Sequence, residues 1–290
     1  MTDVIDGETQ LVGLIGWPVG HSLSPAMHNA AFATLGLNWR YVPLPVHPER
    51  LADAVPGLAA LGFRGANVTA PHKVAVMPLL DTLDESARLV GAVNTIQIDG
   101  ESGRLIGLNT DSDGFLADLA ASGMLPAPGA RVIVLGAGGA ARAIGMALIQ
   151  SGARVTFVNR TPSHAGRLVD SMRAVRPEAD VRAVALESLQ AVGSEAALIV
   201  NTTPLGMWPD VNTSPWPKSV PFPRDAAVYD TVYRPPETRL MQDARAAGLR
   251  SVGGIGMLVR QGAAAFALWT GFAAPLDVMR AACSAALREG

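Results

Sequence analysis

The chain has 290 residues, of which 49% are hydrophobic and 17% charged, so it is long enough for two domains and has the composition of an α/β enzyme. Its formal charge of −2 offers no basic surface for nucleic acid or an anionic membrane, and no run of about 18 apolar residues predicts a membrane span. The single cysteine, Cys283, excludes an internal disulfide, and the acidic, polar N-terminus does not resemble a signal peptide, so we expect a cytoplasmic protein.

Segments typical of strands and helices alternate along the first part of the chain. Strands are predicted at 11–15, 40–44 and 66–68, and helices at 25–35, 48–61 and 73–80. Two further strands, at 91–98 and 105–108, are predicted to form a hairpin around a turn at 100–103. This alternation predicts a mainly parallel sheet with flanking helices.

A second series begins with the sequence RVIVLGAGGAARAIGM, which starts at Arg131. Its β-branched run predicts a strand buried on both faces, and Gly136, Gly138 and Ala141 then follow in G-x-G-x-x-A spacing. The first glycine permits a tight turn, the second lets the backbone approach a pyrophosphate, and the third small residue lets a helix pack against the strand. A helix predicted at 140–151 offers N–H groups and partial positive charge to phosphates. The context favours dinucleotide binding over a merely tight turn.

Further strands at 154–158, 181–185, 198–200 and 228–230, with a helix at 161–174, predict one doubly wound nucleotide-binding domain. A proline-rich segment at 204–223 is too long for a simple connection and is predicted to be a lid or a loop beside the cofactor. Two terminal helices, at 256–270 and 275–287, have no strands of their own and must pack on another part of the chain. The sequence therefore predicts an α/β protein of two domains.

Polar residues of the first domain lie where strands lead into helices. Ser24 precedes Pro25 and is predicted to cap the first helix, while Ser22 brings a second hydroxyl to the same helix end. Capping alone and the binding of a carboxylate are both open at this point. Lys73 is expected at the start of a helix and Asp111 in the first turn of another. Taken singly, they are most simply a solvated lysine and a capping residue.

Motifs along nearly the whole chain, in the same order as in the family, resemble shikimate dehydrogenase. They are HSLSP, NVTAPHK, AVNT, NTD, GAGGA, NRT, NTTPLGM, YDTVY and GIGMLVRQG. The resemblance implies an oxidoreductase that reversibly reduces 3-dehydroshikimate to shikimate with NADPH, in chorismate and aromatic amino acid biosynthesis. It also implies an N-terminal α/β substrate domain at 1–110 and 254–290, to which the terminal helices return, and a Rossmann-type doubly wound NADP-binding domain at 111–253.

The resemblance further implies a role for individual residues. Lys73 and Asp111 become the catalytic pair, because the carbonyl oxygen gains negative charge when hydride arrives and a lysine held by a carboxylate can donate a proton to it. The implied substrate ligands are Ser22 and Ser24 for the carboxylate, and Thr69, Asn94, Asp111 and Gln261 for ring hydroxyls, with Asn67 and Tyr233 close by. The implied cofactor ligands are Gly136, Ala137, Gly138, Gly139 and Ala140 at the pyrophosphate, Asn159, Arg160, Thr161 and His164 around the adenosine ribose and its phosphate, and Thr231 and Gly254 near the nicotinamide. No metal is implied.

The residues after the second strand of the nucleotide-binding domain indicate which cofactor is used. NAD enzymes of this fold typically place Asp or Glu about 20 residues after the glycine loop, which is the segment from Gly136 to Ala140 in this chain. Here the strand leads instead into Asn159-Arg160-Thr161. Arg160 can pair with a 2′-phosphate. His164 stands where the family's NADP form often has a second arginine, and a neutral imidazole attracts a phosphate less strongly. We therefore expect a preference for NADP that grows as the pH falls.

Two other functions are left open by the sequence. A quinate/shikimate dehydrogenase of broader substrate range that uses NAD shares nearly all of these motifs. A non-catalytic cofactor or metabolite sensor could use the same scaffold, but it would need neither Lys73 nor Asp111. In every case the expected partners are small molecules, with no nucleic acid and no membrane, and the chain is expected to be a monomer or a homodimer.

Overall fold

The computed structural model of the protein describes residues 5–289, which form two compact units. The first unit contains the chain up to Gly114 together with the residues from Leu258 onward, and the second is Phe115–Met257. The terminal helices thus belong to the first unit, and the predicted two-unit α/β class is confirmed. The assignment of substrate and cofactor to domains divided at 110 and 253 stays a prediction.

The described strands of the first unit form a mixed sheet. They are β1 Gln10–Gly16, β2 Trp39–Pro45, β3 Phe63–Val68, β4 Thr82–Leu83, β5 Thr95–Ile98 and β6 Leu105–Leu108. Their order across the sheet is β2-β1-β3-β5-β6-β4. β1 pairs in parallel with β2 and β3, whereas β5 pairs antiparallel with β3 and β6. The predicted hairpin is confirmed, but its first strand begins only at Thr95, because Gly91 ends a helix in the left-handed conformation with φ of +67°.

Helices flank the sheets of both units. Along the described chain they are α1 Ser24–Thr34, α2 Leu51–Ala60, α3 Glu85–Val90, α4 Asp111–Ala121, α5 Gly139–Gln150, α6 Pro162–Val175, α7 Leu189–Gly193, α8 Arg239–Ala246, α9 Ile255–Thr270 and α10 Leu276–Glu289. The chain passes from the first unit to the second within α4 and returns within α9, while α10 packs against α1. Sequence reasoning missed the short helices α3 and α7, and also α8.

The predicted helix at 73–80 is wrong. Residues there form turns followed by one short 3₁₀ helix at Met77–Leu79. Pro78 accounts for the difference, since proline has no N–H to donate to the carbonyl four residues earlier and disfavours helical backbone in the residue before it. Lys73 therefore lies in an irregular segment and not at a helix N-terminus. Its carbonyl oxygen accepts a 2.7 Å hydrogen bond from the backbone N–H of Val93, which fixes the segment to the hairpin.

The described strands of the second unit form a parallel sheet of the dinucleotide-binding type. They are β7 Arg131–Leu135, β8 Arg154–Asn159, β9 Val181–Ala185, β10 Leu198–Asn201, β11 Ala227–Asp230 and β12 Arg250–Gly253. The order β12-β11-β10-β7-β8-β9 reverses direction between β7 and β10. In such sheets dinucleotides bind outside the carboxyl ends of the strands at this reversal. The five strands predicted for this domain are confirmed, and β12 was not predicted.

Small residues bring α5 close to the second sheet, as the glycine spacing predicted. Ala141 is fully buried, and a Cβ built on Gly145 would lie 2.3 Å from the ring Cζ of Phe157. A real side chain at Gly145 would push the helix away from β8. The N-terminus of α5 is therefore held at the carboxyl end of β7, where the glycine loop lies.

An aromatic cluster, made of His28, Phe32, Tyr41, Phe266 and Trp269, forms part of the first unit's core. The His28 ring is parallel to the Tyr41 ring within 2°, with 4.4 Å between centroids. His28 is fully buried, and neither of its ring nitrogens has a hydrogen-bond partner among residues 5–289. Because burial penalises the charged form, the pKa of His28 falls to about 3 and the ring is neutral.

Candidate functional site

Lys73 and Asp111 form an ion pair that is largely shielded from water. The Lys73 Nζ lies 2.6 Å from Oδ2 of Asp111, and the two side chains are 17% and 5% exposed. Asp111 is the first residue of α4, as predicted, and its own N–H donates to Oδ1 of Asn109 at 3.1 Å. The pair joins the irregular segment after β3 to the start of α4, so a mobile ammonium group is held by a carboxylate on a rigid element.

Asn94 holds the other oxygen of the same carboxylate. Its Nδ2 lies 2.8 Å from Oδ1 of Asp111 and 3.3 Å from Oε1 of Gln261 on α9. Its Oδ1 accepts a 2.8 Å hydrogen bond from the backbone N–H of Thr110, which sets the orientation of the amide. Three of the predicted substrate ligands therefore belong to one network, and each of them is at most 9% exposed.

Asn67 extends this network across the sheet. Its Nδ2 is within 3.2 Å of both the Asn94 carbonyl oxygen and the Thr95 hydroxyl, and its Oδ1 accepts from the Tyr41 hydroxyl at 2.9 Å. Sequence reasoning missed Tyr41 and Thr95. Tyr41 lies on β2, an edge strand distant from the recognised motifs, so its hydroxyl reaches Asn67 only through the pairing of β2, β1 and β3. Thr95 was visible inside the AVNT motif.

The two serines lie at the N-terminus of α1, but the predicted cap by Ser24 is wrong. The capping residue is Leu23, which makes no side-chain cap, and Ser24 is the first residue of the helix. The Ser22 hydroxyl instead accepts from the Ser24 N–H at 3.2 Å. The difference arises because a turn closed by Ser22 N–H and the Val19 carbonyl, 3.0 Å apart, brings the chain into the helix one residue earlier. Both hydroxyls stay beside the positive end of the α1 dipole.

The loops that carry the serines and Lys73 leave the same edge of the first sheet. β1 and β3 are parallel neighbours, so their carboxyl ends lie side by side. The loops after them are joined by a 3.1 Å hydrogen bond from the Trp17 N–H to the Ala70 carbonyl, and the Thr69 N–H donates to the Ile15 carbonyl at 2.8 Å. Thr69 is thus fixed between the serine loop and the Lys73 segment.

A cavity of about 520 Å³ lies at the carboxyl edge of the second sheet. Its walls combine the glycine loop, the end of β8 and segments after β9 and β10. They are formed by Leu135, Gly136, Ala137, Gly138, Val158, Asn159, Arg160, Leu186, Thr202, Thr203, Pro204, Leu205, Ser214, Pro215 and Pro217. Gly136 to Gly138, Asn159 and Arg160 are predicted cofactor ligands, whereas Leu186 and the residues from Thr202 to Pro217 were not named as such. The NTTPLGM motif and the proline-rich loop were the signals for most of them.

The backbone conformation of the glycine loop favours glycine at Gly136. Gly136 has φ of +112°, and a Cβ on it would lie 2.6 Å from the Thr202 hydroxyl. Gly138 is the extended capping residue of α5, which begins at Gly139 with no side-chain cap. Free N–H groups of the first helical turn, including that of Ala140, therefore remain available to an anion.

The end of β8 carries the predicted 2′-phosphate residues. Asn159 is the last residue of the strand and its Nδ2 donates to the Thr161 carbonyl at 3.0 Å. Arg160 lines the cavity, Thr161 is the capping residue of α6, and His164 lies exposed in the first turn of that helix. Asn159 and Arg160 thus border the cavity, and a guanidinium group is suited to pair with a phosphate.

Asp230, at the end of β11, joins three segments beside the cavity. Its carboxylate accepts hydrogen bonds from Thr238 Oγ1 at 2.6 Å, Asn201 Nδ2 at 2.9 Å and the Val232 N–H at 3.0 Å. Burial raises the pKa of Asp230 to about 6, although the bonds from Thr238, Val232 and Asn201 act in the opposite direction. The carboxylate thereby orders the start of the NTTPLGM loop and the segment that carries Thr231.

The predicted nicotinamide residues are in contact with each other. A Cβ built on Gly254 would lie 2.2 Å from the Thr231 carbonyl oxygen, so only glycine permits this approach. The Thr231 N–H donates to the Asn201 carbonyl at 3.0 Å. Tyr233 follows in the same segment and belongs to the second unit, whereas the other predicted substrate ligands belong to the first.

The described residues contain neither a cluster of metal ligands nor a membrane-spanning helix. Among residues 5–289, no group of three or more His, Cys, Asp or Glu side chains is placed to hold a metal ion. In the same part of the chain, no helix combines the length and apolar character needed to cross a membrane.

Sequence models of known families match three stretches of the chain. The shikimate dehydrogenase substrate binding domain matches residues 14–96, shikimate / quinate 5-dehydrogenase matches 118–205, and the shikimate 5′-dehydrogenase C-terminal domain matches 254–283. A curated relative from Methanopyrus kandleri, named shikimate dehydrogenase (NADP(+)), is 47% identical over 287 residues, which is 98% of this chain and 98% of the relative.

Solved structures share this architecture over almost their whole length. Shikimate 5-dehydrogenase from Thermus thermophilus, in complex with NADP(H) and shikimate, has a TM-score of 0.84 and 41% identity, covering 96% of this chain and 100% of that one. Quinate dehydrogenase from Corynebacterium glutamicum, in complex with NAD, has a TM-score of 0.85 and 34% identity, covering 96% and 99%. The same fold thus occurs with two substrates and two cofactors.

Proposed function

The chain belongs to the shikimate dehydrogenase family, and on that premise we propose that it is an NADP-dependent oxidoreductase that interconverts 3-dehydroshikimate and shikimate. The observation that carries this proposal is the shielded pair of Lys73 and Asp111, 2.6 Å apart at the centre of a polar network. A non-catalytic sensor would have no use for a buried proton donor, so the pair supports an enzyme.

Lys73 is the proposed proton donor and acceptor. NADPH, when bound, supplies the hydride that converts the carbonyl carbon of 3-dehydroshikimate to a secondary alcohol. The carbonyl oxygen gains negative charge in this step, and the Lys73 ammonium stabilises it and transfers a proton to it. Asp111 holds the ammonium group through Oδ2 and is itself held by Asn94 through Oδ1. In shikimate oxidation Lys73 takes the alcohol proton instead.

The remaining polar groups of the first unit are proposed to orient the ring. Ser22 and Ser24 bind the substrate carboxylate beside the N-terminus of α1, where two hydroxyls and the helix dipole favour an anion. The proposed ligands of the ring hydroxyls are Thr69, Asn94, Asp111 and Gln261, with Asn67 and Tyr233 close by. Because the amides of Asn94 and Asn67 are already oriented by Thr110 and Tyr41, little ordering is left to do on binding.

The cavity of the second unit carries donor groups suited to the cofactor. A helix N-terminus without a side-chain cap, open glycine backbone and one arginine are suited to a pyrophosphate and a 2′-phosphate. Gly136 to Ala140 would bind the pyrophosphate, Asn159, Arg160, Thr161 and His164 the adenosine ribose and its phosphate, and Thr231 and Gly254 the nicotinamide. The carboxylate that would accept from an unphosphorylated ribose is not present after β8, which supports NADP over NAD.

The decisive experiment replaces the proposed proton donor. We expect Lys73→Ala to lower kcat by about 10²- to 10⁴-fold with NADPH and 3-dehydroshikimate, followed by nicotinamide absorbance. The dissociation constant of NADP⁺, measured by calorimetry, should not change. The matched control is Lys218→Ala, since Lys218 is the other lysine of the chain and its side chain is exposed. Near-normal turnover of Lys73→Ala would contradict the assignment.

Substrate range is tested by a matrix of shikimate and quinate against NADP⁺ and NAD⁺. We propose that shikimate is preferred, because quinate carries an additional hydroxyl at C1 and needs more room beside the two serines. Ser22→Ala should raise the KM for shikimate while leaving the KM for NADP⁺ unchanged. Equal kcat/KM for the two substrates would favour the broader quinate/shikimate activity. The cytoplasmic location and the monomer or homodimer state stay predictions from the sequence.

A further inference from the structure

The proline-rich loop at 204–223 forms one wall of the cavity in the second unit. Pro204, Leu205, Ser214, Pro215 and Pro217 all line the cavity. The loop contains no helix or strand, and connections of this length without structure of their own are uncommon in compact domains. Backbone hydrogen bonds hold part of the loop, among them a 2.9 Å bond from the Trp208 N–H to the Arg234 carbonyl, and the large side chain of Trp216 is buried.

Trp216 lies between two of the cavity-lining prolines but is itself part of the core. Its side chain is packed into the cluster that includes Leu189 and Val228, and the residue is only 4% exposed. The indole stacks on Phe222 with 5.0 Å between ring centroids and 9° between planes. Its Nε1–H donates to the Val220 carbonyl at 2.8 Å. These contacts attach the middle of the loop to its own C-terminal end and to the domain core.

A second tryptophan of the same loop provides a contrast. Trp208 is 54% exposed and does not line the cavity. The guanidinium carbon of Arg234 lies 5.2 Å from the centre of its ring, an exposed contact of modest energy. The burial of Trp216 is thus a property of its position and not of tryptophans in this loop.

We propose that Trp216 is a positioning residue, an inference that rests on the proposed function. It holds Pro215 and Pro217 in place, and these two prolines form the part of the cavity wall that faces the adenosine end of NADP. The same cavity is lined by Arg160 after β8 and Leu186 after β9, at one end of the strand order. The proposed nicotinamide residues Thr231 and Gly254 follow β11 and β12, at the other end. Leu186 packs against the core cluster to which Trp216 belongs. The anchored wall and the 2′-phosphate residue therefore enclose one end of the cavity.

The energetic reason is preorganisation. Proline fixes its own φ but not the path of the chain around it, so the two prolines form a wall only if the residue between them is held. Without the indole, the loop would have to be ordered when the cofactor binds. Ordering this segment when the cofactor binds costs free energy, and a 10-fold weaker affinity corresponds to a cost of about 1.4 kcal/mol.

The test measures binding of NADP⁺ and of its two halves by calorimetry, and steady-state kinetics alongside. For Trp216→Leu we expect the dissociation constant of NADP⁺ and of adenosine 2′,5′-bisphosphate to rise about 10-fold, while that of nicotinamide mononucleotide stays the same. The KM for NADP⁺ should rise equally, with kcat and the KM for shikimate within about twofold. Trp216→Phe keeps the stacking on Phe222 and should recover part of the affinity. Trp208→Leu is the matched control and should behave as the unmodified protein.

Several results would overturn the proposal. One is unchanged NADP⁺ affinity in folded Trp216→Leu; another is equal weakening of both cofactor halves, which would indicate general loosening of the unit. If Trp216→Leu does not fold, Phe222→Leu removes the stacking partner instead, and it should weaken the adenosine half in the same direction. Failure of the unmodified protein to bind NADP⁺ would refute the proposed function. Calorimetry on the unmodified protein distinguishes this outcome from the results for the variants.

Discussion

His28 should make the stability of the first unit depend on pH. The imidazole is fully buried in the aromatic cluster without a hydrogen-bond partner among the described residues, and burial lowers its pKa from 6.5 to about 3. Between these two values the unfolded chain binds a proton at this residue and the folded chain does not. Stability from this residue is therefore present above pH 6.5 and is lost as the pH falls toward 3.

The size of the effect follows from the two pKa values. Each unit of difference corresponds to about 1.36 kcal/mol between the protonation states. Going from about pH 7 to about pH 5, proton binding by the unfolded chain lowers the free energy of unfolding by about 2 kcal/mol. This loss is a substantial part of the free energy of unfolding of a typical protein, which is roughly 5–15 kcal/mol.

The assay is urea unfolding at these two pH values, followed by tryptophan fluorescence. Trp269 is suited to report the first unit because its ring lies 5.6 Å from that of His28. In His28→Leu the pH-dependent loss should shrink by about 2 kcal/mol, whatever the substitution does to packing, since only the difference between the two pH values is compared. His47→Leu is the control, because the His47 side chain is 48% exposed, and its pH dependence should match that of the unmodified protein.

A pH dependence that persists undiminished in His28→Leu would refute the reasoning. It would mean that the folded chain accepts a proton at His28, or that other groups carry the whole effect. The stacking on Tyr41 would then have to tolerate an imidazolium without a counter-charge in a fully buried cluster.

Three further predictions concern packing, a buried carboxylate and the cofactor. Gly65→Ala should lower the free energy of unfolding by about 1–3 kcal/mol in urea titration, because its Cβ would lie 2.2 Å from the Trp269 Nε1. Asp230→Ala leaves three buried donors without their acceptor and should lower the unfolding free energy by about 3 kcal/mol or more; Asp225→Ala, at an exposed position, should be neutral. Arg160→Ala should raise the KM for NADP⁺ by about 10- to 100-fold and leave that for NAD⁺ nearly unchanged, as measured by initial rates; a similar loss with both cofactors would contradict pairing with the 2′-phosphate.

Local patterns predicted most of the second unit because its features depend on neighbouring residues. Gly136, Gly138 and Ala141 are three small residues in a fixed spacing that is recognised without knowledge of the rest of the fold, and Gly136 has the positive φ that favours glycine. The buried strands are continuous runs of β-branched residues, which need no knowledge of their partners to be recognised. The parallel pairing of the strands then follows from the long connections between them, because parallel neighbours need a crossover of about a dozen residues or more.

The same local reasoning was wrong at 73–80, where periodicity suggested a helix and Pro78 prevented one. It was also wrong for Ser24, whose position in the helix was set by the preceding turn and not by its own capping tendency. The error at Ser24 lies at a helix end, where one backbone hydrogen bond decides the boundary and the sequence offers two nearly equivalent choices.

The sequence by itself determined most of the elements and the glycine loop, and its resemblance to a family supplied the candidate site residues. Only the tertiary structure brought Lys73 to Asp111 across 38 positions and Asn94 to Gln261 across 167, because such contacts depend on which strands pair and where a terminal helix returns. It alone assigned the burial of His28 and Trp216. A side chain becomes buried only when residues distant in the sequence pack around it, and a local sequence pattern contains no information about those residues.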